Sequence, residues 1–210
     1  MINLLDRESI NSCKKRSPWT LGNEILYKMC SDNFTHETDE KIVAKVWLIG
    51  RSYAASVERR KNKDPNEESD NFYTSIIVNT LKECLLDQKL KELKSLPNLD
   101  TNTLRKTIET HYYLTNLLNN ITDLNNRTFS SKYLHFHIPE LFFIYDSRAA
   151  KAISRFKIKI PRNFFKSQFK CDNIYAQFSS KCFLLREQIE KDFGIQLTPR
   201  ELDNLLLMRI

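Results

Sequence analysis

A mainly α-helical fold is predicted by three features of the sequence. Apolar residues recur at three- and four-residue spacing along most of the chain, helix-starting residues precede several of these runs, and only three glycines (Gly22, Gly50 and Gly194) occur in 210 residues. That spacing gathers apolar side chains on one helical face. The tight turns of an all-β chain and the phosphate loops of Rossmann and P-loop enzymes need more glycine. With 41% apolar residues, the chain can bury a sizeable core, as one helical domain over residues 1–210 or as two small helical subdomains.

The first amphipathic helix spans residues 18–30. Pro18 suits its first position, and Trp19, Leu21, Ile25, Leu26 and Met29 supply the apolar face. Asp39 can cap a longer helix reaching about residue 61, with Ile42, Val43, Val46, Trp47, Ile49, Tyr53 and Val57 as its core face. Gly50 within it implies a close helix contact or a slight break. Residues 62–71 are polar and rich in turn formers, so they read as a mobile connection. Helices follow at 72–86, 88–96 and 101–118, and then, after an Asn/Asp-rich stretch at 119–126, at 130–137 and 147–156.

The helix at 130–137 opens on Ser130, Ser131 and Lys132 and stops before Pro139, because the residue before a proline is pushed out of the α region. Phe142 to Tyr145 form an apolar loop that buries against it and holds Asp146. Asp146 and Ser147 then cap the next helix. A final pair covers 171–193 and 198–208. In the last, Thr198 and Glu201 form a capping box around Pro199.

The formal net charge is +7, and residues 151–170 alone carry Lys151, Arg155, Lys157, Lys159, Arg162, Lys166 and Lys170 with no acid. Such a concentration attracts a phosphate backbone. Phe156, Phe164, Phe165 and Phe169 alternate with these charges and read chiefly as packing residues. No apolar run approaches the ~20 residues of a membrane span, and the amino terminus lacks a signal core, so a cytoplasmic protein is expected. Cys13, Cys30, Cys84, Cys171 and Cys182 are scattered and read as free thiols. His135 and His137 point to different helix faces, so neither a metal nor any cofactor is expected.

One lysine and one aspartate at neighbouring helix starts carry the clearest chemistry. An amine nucleophile beside a carboxylate is the equipment of Schiff-base catalysis. The segment TFSSKYLHFHIPELFFIYDSRA at residues 128–149 resembles the helix-hairpin-helix DNA glycosylases, in particular the 8-oxoguanine DNA glycosylase branch; the likeness runs from 128 to 152. The stretch KVWLIGRSYAASVERR at 45–60 is similar to a helix of small bacterial proteins of that fold, some encoded beside anti-phage systems. The likeness implies a helix-hairpin-helix architecture with Lys132 attacking the sugar C1′ and Asp146 supporting attack and charge development. Two departures stand out. The hairpin sequence from Asn126 to Ser131 has no glycine, and the interval from Lys132 to Asp146 is short for that branch.

The function so implied is a DNA glycosylase or glycosylase/lyase acting on a modified base. The alternatives are a noncatalytic nucleic-acid-binding module of the same fold, or a defence-associated protein acting on a nucleobase, nucleotide or RNA. Nucleic acid, DNA first, is the expected partner. Its candidate contacts are Arg51, Arg59, Arg127, Ser130, Ser131, Arg148, Lys151, Arg155, Lys157, Lys159 and Arg162. An interior-facing Lys132, or one far from Asp146, would leave only the binding module.

Overall fold

Ten α-helices and one π-helical turn make up the regular structure of residues 5–59 and 71–208, the part of the chain that the computed structural model describes. In chain order they are α1 (Arg7–Ser12), α2 (Pro18–Asp32), α3 (Asp39–Ser52), the π-helical turn Phe72–Ile77, α4 (Val78–Lys82), α5 (Leu86–Lys94) and α6 (Thr101–Thr122). Then come α7 (Arg127–His137), α8 (Ser147–Arg155), α9 (Asn173–Phe193) and α10 (Pro199–Leu207). No strand occurs among the described residues.

Helix α7 is the centre of the molecule. Each residue from Phe129 to His137 is buried, and α7 packs against α2, α3 and α6. A helix buried on all sides carries no amphipathic stripe. Around it, α9 packs on α6 and α8, and α10 on α8 and α1. One cluster of buried apolar residues runs from Leu5 to Leu206, with Tyr133, Phe136 and Phe142 among its bulkiest fully buried members.

Two polar side chains inside this core, Lys45 and His36, are paired. Lys45, on α3, donates to the carbonyls of Asn33 and Thr35 at 2.7 and 2.9 Å, and burial brings its amine down to about 8. His36 bridges Asp87 at 2.5 Å and the Tyr133 hydroxyl at 2.6 Å.

Several helix starts follow the sequence rules. The side chains of Asp6, Asp100, Asp146 and Asp172 each accept a backbone N–H of the following helix, and both arms of the Thr198/Glu201 capping box are present. Gly194 ends α9 in the left-handed region at φ 66°, where a Cβ would crowd the backbone.

The structure corrects the expected elements at six places. Helix α1 was not anticipated. Thr38, not Asp39, occupies the cap of α3. That helix ends at Ser52 because the chain doubles back: Ala55 N donates to Gly50 O at 2.8 Å, and a Cβ on Gly50 would lie 3.2 Å from Ser56 Cα. The close approach at Gly50 is therefore to its own returning chain. The remainder of the expected helix, at 60–61, and most of the expected connection, at 62–70, lie outside the described residues.

The helix expected over 72–86 is a π-helical turn and the short α4, with a break before α5. Helix α7 begins at Arg127, so Lys132 is its sixth residue and not in its first turn. Finally, Trp19, Leu21 and Ile25 on α2 are exposed, as is Trp47 on α3; the buried face of α2 is built from Leu26 and Cys30.

Candidate functional site

Three local features bring Lys132 to Asp146. Helix α7 holds Lys132 in the interior. Ser131 Oγ donates to Thr128 O at 3.0 Å and Tyr145 O at 3.2 Å and accepts from Tyr145 N at 3.0 Å, clamping the loop after α7 to the helix. Phe142, Phe143 and Ile144 bury that loop. Asp146 then caps α8, its Oδ1 accepting from Ala149 N at 2.9 Å, while its Oδ2 lies 3.5 Å from Lys132 Nζ. The lysine side chain is 5% exposed and that of Asp146 26%.

Because Lys132 sits mid-helix, the helix dipole does not set the protonation of its amine. Burial does. Desolvation lowers the amine below the usual lysine value, with Asp146 and Asp203 opposing and Arg200 reinforcing it. The Tyr53 ring covers the amine at 5.0 Å from its centroid.

Two residues of α10 complete the site, and the sequence reading missed both. Arg200 Nη1 lies 3.3 Å from Asp203 Oδ2; its Nε donates to the Tyr27 hydroxyl at 2.9 Å and its Nη2 to the Tyr53 hydroxyl at 3.2 Å. The Tyr53 hydroxyl donates to Asn23 Oδ1 at 2.5 Å. Tyr27 faces His135 Nε2 at 2.6 Å, and His135 Nδ1 faces Phe142 O at 2.8 Å. A carbonyl only accepts, so Nδ1 carries the proton and Nε2 accepts from Tyr27. Burial keeps His135 neutral, with Arg200 reinforcing it.

Asp203 is buried and its Oδ1 has no hydrogen-bond partner. Burial pushes its carboxyl up to about 6, aided by Asp146 and opposed by Arg200 and Lys132. The arrangement thus sets one desolvated amine beside a capping carboxylate, with a second carboxyl able to hold or release a proton near neutrality. Only an opposite-charge pair at i, i+3, between the buried residues Pro199, Leu202 and Leu205, marked Arg200 and Asp203 in the sequence, and a solvated face carries the same pattern.

The residues read as nucleic-acid contacts divide into two groups. Arg127 is held by Asp172 at 2.7 Å, with the two side chains 18% and 8% exposed, and it lies over the Tyr145 ring. Ser130 is fully buried with its Oγ unpaired, and Ser131 is spent on the loop clamp. Burial of Ser130 and Ser131 corrects the reading of these two as contacts, and the partly exposed Arg127 is engaged by Asp172.

Arg51 is exposed but paired with Glu58 and stacked on Trp47. Arg59, Arg148, Lys151, Arg155, Lys157, Lys159 and Arg162 are exposed. Arg148 and Lys151 lie in the first two turns of α8, directly after Asp146, so the basic segment begins at the candidate site. Its phenylalanines pack: Phe156 is buried, and Phe164, Phe165 and Phe169 rest on the core.

His135 and His137 take separate faces of α7 toward Tyr27 and Lys45. Among the described residues no group of three or more His, Cys, Asp or Glu side chains could hold a metal ion, and no helix is long and apolar enough to cross a membrane. No family model, curated protein or solved structure matches the chain.

Proposed function

We propose that the chain is a noncatalytic nucleic-acid-binding module with the helix-hairpin-helix DNA glycosylase fold, because Lys132 faces the interior with its side chain only 5% exposed while Lys157, Lys159 and Arg162 face solvent. A second reading, a glycosylase or glycosylase/lyase that removes a modified base through Lys132 and Asp146, is favoured by the 3.5 Å approach of Lys132 Nζ to Asp146 Oδ2 beside a basic surface. A target nucleotide is flipped out of the stack to reach the amine. The neutral Lys132 amine attacks C1′, the C1′–N glycosidic bond breaks, and the departing base takes the proton that the nitrogen releases. Asp146 orients the amine and stabilises positive charge at the sugar. Burial supports this by raising the neutral fraction of the amine at physiological pH.

The same burial opposes that chemistry. A side chain only 5% exposed must be uncovered before a sugar reaches it, whereas Lys157, Lys159 and Arg162 already face solvent. On the first reading the protein binds nucleic acid without reacting. Single-turnover assays on a panel of lesion-bearing duplexes decide between the two. Asp146→Asn keeps the cap, since asparagine caps helices about as well as aspartate, so a rate loss in this variant with an unchanged circular dichroism spectrum supports catalysis. Tight binding with no turnover on any lesion supports the module.

A further inference from the structure

A cavity of about 420 Å³ lies between the connection following α5 and the start of α10. It includes neither Lys132 nor Asp146 in its lining, so what it binds is independent of the chemistry proposed above. We infer that it is a binding site for a small amphipathic oxyanion, a carboxylate or phosphate ester with a short apolar tail, held by Arg186.

Helix α9 sets Arg186 in the wall, facing an apolar lining that includes Leu93, Leu96, Ile138, Leu141 and Leu197. The Arg186 side chain is 10% exposed. Its Nε is buried without a partner, Nη2 reaches Leu99 O only at 3.5 Å, and the half-exposed Glu187 stands 4.0 Å away. A guanidinium has five donors and keeps its charge even when desolvated. One long hydrogen bond and one distant carboxylate leave most of that capacity unused in a place that water reaches poorly.

Nε and one Nη lie on the same edge of the guanidinium and donate in parallel, which matches two oxygens of a carboxylate or phosphate. The leucine and isoleucine lining suits the rest of such a molecule, and the volume falls in the range of small-ligand sites. Glu140, also in the lining, is exposed to solvent.

The test uses the full chain and three probes: hexanoate, pentyl phosphate and the neutral 1-hexanol. The Arg186 Nε–H resonance, assigned by its loss in Arg186→Lys, is followed by ¹⁵N NMR. At least one anion should move it saturably with Kd at or below about 1 mM, and 1-hexanol should bind at least about tenfold more weakly. Hexanoate alone identifies a carboxylate site, and pentyl phosphate alone a phosphate site. Arg186→Gln should lose about tenfold or more in affinity; should it fail to fold, the wild-type titration decides. The inference is overturned when neither anion outbinds 1-hexanol, or when anions bind and leave the Arg186 resonance unmoved.

Discussion

Acidification from pH 7 to pH 5 should remove most of the stability of this fold. The chain has four histidines, His36, His111, His135 and His137, and all are buried. Burial lowers each below the ordinary imidazole value of 6.5, His111 to about 3. His111 stacks on Tyr175 at 3.5 Å and its Nδ1 has no partner, so a second proton there would have no acceptor. Below pH 6.5 the unfolded chain binds protons that the folded chain refuses.

The histidine contribution is therefore fully present above 6.5 and is lost as pH falls through it. Each histidine costs up to about 1.4 kcal/mol per pH unit, or about 8 kcal/mol for four at pH 5. His36 gives less than a full share because Asp87 opposes its shift. Asp203 works with the opposite sign. Its carboxyl is raised from 3.8 to about 6, so its proton stabilises the fold as pH falls below 6. That returns about 1.4 kcal/mol by pH 5.

A net loss of about 5–7 kcal/mol compares with a total stability of about 5–15 kcal/mol for a typical domain. Urea unfolding followed by circular dichroism at half-unit pH steps measures the slope, and His111→Gln should reduce it by about 1.4 kcal/mol per unit. Stability constant within about 1 kcal/mol from pH 7 to 5 would refute the reasoning, because buried neutral histidines require the slope.

Three further outcomes are expected. Asp172→Asn keeps the α9 cap but removes the charge facing Arg127, costing about 1.5–3 kcal/mol in urea unfolding, and Asp172→Ala should cost about 1 kcal/mol more; wild-type stability in the asparagine variant would mean that the pair contributes nothing. Reversing Lys157, Lys159 and Arg162 to glutamate should weaken nucleic-acid binding across sequences and flatten its salt dependence, and an unchanged affinity and slope would reduce the segment to a solvated face. Gly194→Ala, which forces a Cβ into the left-handed region, should lower stability by about 1–2 kcal/mol, measurable as a fall in Tm that an equal-Tm variant would contradict.

Helices whose apolar residues recur against a polar background were legible in the sequence, and so were most of their caps. Helix α7 was located but misread. Its polar residues Ser130, Ser131, Lys132, His135 and His137 suggest a helix open to solvent, yet each is buried, and most are held by specific partners outside the helix. Periodicity cannot report partners such as Tyr27, Lys45 and Asp146. The pairing of Lys132 with Asp146 was legible through the order of the segment, because a short helix, a proline stop and an N-cap leave few ways to separate them.

Burial of Lys132 was not legible. It depends on Tyr53 from the end of α3 and on Arg200 and Asp203 from α10, which no local pattern ties to α7. The exposed Trp19 and Ile25 show the converse, since helical spacing gives a face but not whether another element covers it.

The most direct test of the account is covalent trapping on the wild-type protein. Incubation with lesion-bearing duplexes in the presence of borohydride should yield no protein–DNA adduct from a protein that binds those duplexes. An adduct that peptide mapping by mass spectrometry places on Lys132, and that a folded Lys132→Gln variant does not form, would contradict the noncatalytic reading and make Lys132 the nucleophile.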